Sequence, residues 1–255
     1  MSNTLLTIAG FDPTSGAGIS MDLAVFRTLG FHGAALITAQ TIQDTRGVSG
    51  LHITPPEFLE RQHRALSDDI IVSGIKLGML GGGSLLPVLD RILSRHPDIP
   101  VVADPVLRAT SGAPLMEETF LDDLLKLLSR YATLLTPNLE EAEKIGGRAI
   151  RDRTELAAGA EAVYRRVGVP VLLKGGHLPG EAVDYIHDGE TGVEISRPRI
   201  EGRVHGTGCF LSAAVLSGLA RGVPLPEAGR RAGDLLARFL RKSRKIGSGQ
   251  RLMVI

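Results

Sequence analysis

The sequence predicts an α/β fold with a mostly parallel central sheet covered by helices on both faces. Two observations carry this. Short apolar runs alternate with stretches of helical periodicity along the whole chain. The 31 glycines are scattered rather than clustered, which suits many tight strand-to-helix turns. With 255 residues and 43% hydrophobic content the chain can bury a sizeable core, and a single domain is expected over 1–255.

Leu5 to Ala9 is an apolar run ending at Gly10, read as a buried strand. A loop follows to Gly18; then Ile19, Leu23, Phe26 and Leu29 recur at helical spacing, with Gly30 closing the helix. Gly33 to Ala39 reads as a strand and Gln40 to Gly50 as a polar loop. Pro55-Pro56 opens a helix carrying Phe58, Leu59 and Leu66. Ile71 to Leu77 is strand-like, Leu85 to Ser94 helical, and Pro100 to Ala103 a strand ending at Asp104-Pro105. After a loop over 105–115, Leu121, Leu124, Leu125 and Leu128 share a helical face.

Thr133 to Leu135 is a strand ending at Thr136-Pro137-Asn138, and two helical stretches flank Gly146-Gly147. Val169 to Leu173 is a strand running into Lys174-Gly175-Gly176-His177. Val183 to His187 and Gly192 to Ser196, joined through Asp188-Gly189, read as a β-hairpin. His205-Gly206-Thr207-Gly208-Cys209 opens the penultimate helix, and Leu225 to Leu240 is a final amphipathic one. The basic tail after about residue 243 is expected to be frayed.

A net charge of +1 gives no global field for nucleic acid or an anionic membrane. One cysteine excludes an internal disulfide and a CxxC site and suits a reducing cytosol, so a cytoplasmic location is expected. No apolar stretch is long enough for a membrane span. There is no Gly-Lys dipeptide for a Walker A loop, no GxSxG and no HExxH, and the histidines lack metal-ligand spacing.

In open parallel sheets ligands bind beyond the carboxyl ends of the strands. Asp12, Gln43, Asp104, Asn138, Lys174 and Cys209 each follow a predicted strand, and together they exceed what a solvated surface needs. Gly206 and Gly208 let the backbone approach a ligand, and the helix after them offers free N–H groups and a positive dipole end to an anion. A thiol at that position, Cys209, is where ionisation is easiest. Equally, the stretch reads as a glycine-rich connection with an inert cysteine. Asn138 and Glu141 share a helix face and read either as an N-cap with an acidic first turn or as oxygen ligands for a hydrated Mg²⁺.

His-Gly-Thr-Gly-Cys at 205–209 resembles the anion-hole motif of the hydroxymethylpyrimidine and phosphomethylpyrimidine kinases, a branch of the ribokinase-like family. The resemblance runs over nearly the whole chain. It includes Ala9–Ile19 as the first substrate loop, Gln43–Val48, Asp104-Pro105-Val106, Thr136–Ala142 and Lys174–His177. It implies a three-layer α/β/α kinase that uses ATP and Mg²⁺ to phosphorylate 4-amino-5-hydroxymethyl-2-methylpyrimidine, and its monophosphate, for thiamine biosynthesis. Gly206, Gly208, Lys174 and Cys209 are then catalytic, with Cys209 as proton acceptor. Gln43, Gly10, Asp22, Met79 and Val106 would face the small-molecule substrate. Asp104, Asn138, Lys174 and Thr207 would meet the nucleotide, and Asp104 and Glu141 the metal. A homodimer is compatible with the resemblance.

Four departures bear on substrate preference and efficiency. Phe11 replaces a small or polar residue, Asp44 an asparagine, Thr110 a lysine of the phosphate-side flap, and Arg203-Val204 a small polar approach to His205. The competing readings are a pyridoxal kinase of the same fold and a non-catalytic pyrimidine-binding sensor.

Overall fold

The structure, a computed structural model, describes residues 3–109, 112–176, 178–200 and 202–255. The elements run β1 (Thr4–Phe11), α1 (Gly18–Thr28), β2 (His32–Gln43), β3 (Val48–Ile53), α2 (Pro56–Ser67), β4 (Ile75–Leu77), α3 (Leu86–Leu93) and β5 (Val101–Ala103). They continue with α4 (Leu121–Tyr131), β6 (Leu134–Leu135), α5 (Leu139–Gly146), α6 (Leu156–Val167), β7 (Val171–Lys174), β8 (Ala182–His187) and β9 (Gly192–Arg197). The last are β10 (Val204–His205), α7 (Thr207–Leu219), α8 (Leu225–Arg241) and β11 (Arg251–Leu252).

Among the described residues one sheet has the order β3-β2-β1-β4-β5-β6-β7-β8-β9. Its central strands, β2 to β7, are parallel, and antiparallel pairs close both ends. The central strands are largely apolar because both of their faces are covered. Val101 and Ala103 of β5 enter one apolar cluster while Val102 enters the other, and Leu134 and Leu135 of β6 divide in the same way. Helices α2 to α6 supply the first cluster; α1, α7 and α8 supply the second. The expected three layers are present. No helix among the described residues is long and apolar enough to cross a membrane.

Three expectations fail, each for a physical reason. Gln40 to Gly50 is not a polar loop: β2 continues to Gln43, and β3 pairs back on it with Thr41 opposite Leu51. The turn between them is held by Asp44, whose carboxylate accepts the N–H groups of Arg46 (2.8 Å) and Gly47 (3.2 Å) and pairs with the Arg46 guanidinium. The strand expected from Ile71 starts only at Ile75; Ile71 itself is exposed. The tail after residue 243 is not frayed. It turns back so that β11 pairs in parallel with β10, and Leu252 and Met253 are buried. Their apolar side chains outweigh the freedom of the basic, glycine-containing stretch before them.

Helix α2 meets the end of α3 through two histidines. His63 Nε2 and His96 Nε2 are 3.0 Å apart, with the rings edge to face. Burial, reinforced by the charges of His96 and Arg95, pushes His63 down to about 4. The unfolded chain binds a proton there near the ordinary value of 6.5, while the folded chain binds it only near 4, so stability falls as pH drops through that window. Urea unfolding is expected to shift to lower midpoints from about pH 6.5 to about pH 4, and His63→Gln to flatten that dependence. A parallel pH dependence in the variant would show that other groups cause it.

Candidate active site

The parallel strands deliver polar residues to one rim. Asp12 follows β1, Gln43 ends β2, Asp104 follows β5, Asn138 lies shortly after β6, and Lys174 ends β7. Cys209 arrives differently: it stands in the first turn of α7, after the short β10 of a separate two-stranded sheet.

The α7 end is built on one backbone requirement. Gly206, the N-cap, has φ 81°, and a Cβ there would run into the carbonyl of Gly16. Only glycine combines that left-handed turn with this contact. The helix then begins against a charge pair. Lys174 Nζ donates to Asp104 Oδ1 at 2.6 Å, and a Cβ on Gly208 would lie 3.0 Å from Lys174 Nζ and 3.6 Å from Asp104 Oδ2. Free N–H groups, a lysine and a helix dipole therefore converge, which is an arrangement suited to an anion.

Asn138 and Glu141 adjoin this pair. Asn138 Oδ1 accepts the Glu141 N–H at 2.9 Å, and Glu141 Oε2 accepts the Asn138 N–H at 2.8 Å, a reciprocal cap for α5. The N-cap alternative is thus realised in the structure. Burial, together with the charge of Asp104, raises the Glu141 carboxyl to about 7 despite the opposing Lys174. Lys174 is raised: Asp104 and Glu141 outweigh the effect of its burial.

Cys209 corrects an expectation. Its residue is half-buried, and burial raises the thiol to about 11. Lys76 and the Gly18 N–H act the other way, and Asp22 and Asp104 add to the rise. A helix start alone does not make this thiol easy to ionise.

At the β1–β2 end of the rim, Asp12, His205 and Gln43 form one hydrogen-bonded group. His205 Nε2 lies 2.8 Å from Asp12 Oδ2 and 3.0 Å from the Gln43 amide, and Thr41 Oγ1 lies 3.0 Å from the other side of that amide. Burial raises the Asp12 carboxyl, but the His205 and Thr14 hydrogen bonds outweigh it and leave a net lowering. The Gln43 amide nitrogen faces His205 Nε2, and its oxygen faces Thr41 Oγ1, which also lies 3.1 Å from the Phe11 carbonyl.

Met79, Leu115 and Ala39 form a small apolar cluster, packed by Val106, Val48 and Leu51. A side chain on Gly10 would collide with the methyl of Met79. Asp22, expected to face substrate, has no exposed surface. Its Oδ2 accepts from Thr7 Oγ1 at 2.6 Å and from Lys76 Nζ at 2.9 Å. Its reach towards the rim is electrostatic. Lys76 is equally buried and held charged: burial works against the charge, but Asp22, Cys209 and Asp104 together outweigh it.

Sequence reasoning missed Lys76 and the bridging position of His205. A lysine inside the apolar run Ile75-Lys76-Leu77 was the available signal for the first. Thr110 and His177 lie outside the described residues. Arg108, near Thr110, is engaged by Glu118 at 3.2 Å and Glu140 at 3.5 Å.

The family model for phosphomethylpyrimidine kinase matches residues 12–253. The chain belongs to the phosphomethylpyrimidine kinase family. It is 45% identical over 231 residues to the hydroxymethylpyrimidine/phosphomethylpyrimidine kinase of Rhizobium meliloti, covering 89% of this chain and 86% of that one. The solved phosphomethylpyrimidine kinase of Clostridium difficile superposes with TM-score 0.79 at 32% identity, covering 92% and 98%. An ADP complex of the Bacillus subtilis pyridoxal kinase superposes with TM-score 0.88 at 26% identity, covering 99% and 97%. The fold is therefore ribokinase-like.

Gly206→Ala places a Cβ in a left-handed turn and against the Gly16 carbonyl. A loss of about 1–3 kcal/mol in unfolding free energy is expected from the turn alone, with weaker nucleotide binding by calorimetry. Unchanged affinity for ATP would separate this helix end from the nucleotide.

Proposed function

We propose that this chain transfers the terminal phosphoryl group of ATP to the hydroxymethyl group of 4-amino-5-hydroxymethyl-2-methylpyrimidine, and then to the resulting monophosphate, in thiamine biosynthesis in the cytoplasm. The observation that supports it most is the approach of the Lys174–Asp104 pair to the Gly208 backbone, one residue from the thiol of Cys209. Phosphoryl transfer through a loose transition state asks mainly for positioning and charge neutralisation, and this geometry offers both. The named relatives are kinases of this pyrimidine alcohol and its phosphate. ADP and AMP-PCP complexes of pyridoxal kinases with the same fold support a nucleoside triphosphate as donor.

In this reading Thr207 and the N–H groups of Gly206 to Cys209 cradle the moving phosphoryl group. Lys174 follows its charge, and Asp104 orients Lys174. Asn138 belongs to the nucleotide side. Gln43 meets the aminopyrimidine edge, because a primary amide carries both a donor and an acceptor, while Gly10, Met79 and Val106 wall the ring. Asp22 acts from beneath, through Lys76. Asp104 and Glu141 fit Mg²⁺: both are hard oxygen donors, buried and close enough to act on one another and on Lys174. The metal, when bound, would neutralise phosphate oxygens.

Cys209 takes the hydroxymethyl proton. With its thiol raised to about 11, the reactive fraction grows with pH, so turnover is expected to climb from about pH 7 to about pH 10. Cys209→Ala should lower turnover by about 10²–10⁴ and lose that climb, while the alcohol still binds. Unchanged turnover would falsify the role of Cys209. Mass analysis of products after incubation with ATP, Mg²⁺ and the pyrimidine alcohol tests the reaction itself: one and then two added phosphoryl groups are expected. A second reading, pyridoxal kinase, is favoured by the TM-score of 0.88. Faster turnover of pyridoxal in the same assay would replace the first reading with it.

A further inference from the structure

The acceptor end is assembled by a segment that no catalytic role explains. After α8 the chain reverses and runs from Arg244 to Met253 across three acceptor pieces in turn. It first meets the β2–β3 turn: the Gly249 N–H donates to Thr45 Oγ1 at 3.1 Å and the Gln250 N–H to the Thr45 carbonyl at 2.8 Å. It then pairs with β10, with Arg251 opposite Val204 and Leu252 opposite His205. Finally, Leu252 closes on the first loop. A Cβ on Gly16 would lie 2.7 Å from Leu252 Cδ2 and 2.6 Å from His205 Cδ2, so those three residues are in tight contact.

The path is anchored on both sides of these contacts. The Arg244 and Leu252 backbones exchange two hydrogen bonds of 2.9 Å, Arg251 Nε donates to Ser243 Oγ at 3.0 Å, and Met253 joins the cluster beneath α1 and α7. The pieces it ties together, 12–18, 43–47 and 204–205, carry the three members of the Asp12–His205–Gln43 group. Ile246, between anchors, is 67% exposed, so the segment is not simply burying whatever apolar surface it has.

We propose that Arg244–Met253 is a positioning strap that fixes the Asp12–His205–Gln43 group, and through it the orientation of the Gln43 amide, for the acceptor alcohol. This rests on the reading of the acceptor end given above. Among the described residues no hydrogen bond or ion pair joins the strap to Lys174, Asp104 or the start of α5, so its effect should fall on the alcohol and spare the nucleotide.

Two substitutions break it at different points. Gly249→Ala drives a Cβ into the Thr45 carbonyl, with no change required in the apolar core. Leu252→Ala removes the contact over Gly16, and Leu252→Met restores most of its volume. Ile246→Ala is the control. The expected result is a rise of about tenfold in KM for the pyrimidine alcohol in Gly249→Ala and Leu252→Ala, with KM for ATP within about twofold. Leu252→Met and Ile246→Ala should stay near the parent. Backbone hydrogen exchange, measured without any substrate, should quicken over residues 12–18 and 43–47 in the first two variants and remain unchanged at 138–146. Failure of the parent to phosphorylate the alcohol would count against the proposed function alone; the exchange measurement would still decide the strap. Unchanged exchange at 12–18 and 43–47, or KM values for alcohol and ATP rising together, would overturn it.

Discussion

The β1–β4 side of the rim depends on a charge pair in the dry interior. Lys76 on β4 and Asp22 on α1 meet at 2.9 Å with no exposed surface on either, and Thr7 of β1 completes the contact. Such a pair adds little net stability over apolar residues of similar volume, yet breaking it strands a charge, so it acts chiefly as a constraint. It fixes α1 against β1 and β4 at a single register. The first residue of that helix is Gly18, whose N–H turns towards the thiol of Cys209. The second Asp22 oxygen has no hydrogen-bond partner among the described residues, which leaves the carboxylate dependent on Lys76 and Thr7.

The two ends of the rim handle charge differently. At the α5 end Lys174 faces two carboxylates, Asp104 and Glu141, and burial, which the charge of Lys174 does not overcome, leaves a Glu141 carboxyl that holds its proton to about 7. Around Cys209 the balance tips the same way: burial and two carboxylates outweigh Lys76, and the thiol rises instead of falling. The helix end, which favours an anion, is aimed at the space beyond the thiol as much as at the thiol itself.

Much of the fold was legible because apolar runs and turn glycines report local structure directly. Leu5–Ala9, Pro100–Ala103 and Val169–Leu173 fall within or beside observed strands for that reason. The β2–β3 hairpin was not legible, since Gln40–Gly50 is polar on both faces and its pairing is set by Asp44 bonding its own turn. Nor was the return of the tail, which depends on contacts with Thr45 and Val204 far away in sequence. For the site, strand-end placement located Asp12, Gln43, Asp104 and Lys174 because topology alone puts them there. Asp22 was misjudged because its spacing on α1 does not reveal which side of the helix meets a buried lysine.

The span of the contacts around Asp12 and Thr45 has a consequence for the order of assembly. Asp104 and Lys174 are 70 residues apart, whereas Asp12 and His205 are separated by 193 and Thr45 and Gly249 by 204. Closing the longer loops costs only slightly more conformational entropy, so the difference is one of timing. A chain emerging from the ribosome can join Asp104 to Lys174 while Asp12 and Gln43 still wait for a histidine not yet synthesised. The Asp12–His205–Gln43 group is therefore completed late, after the Lys174–Asp104 pair can already exist.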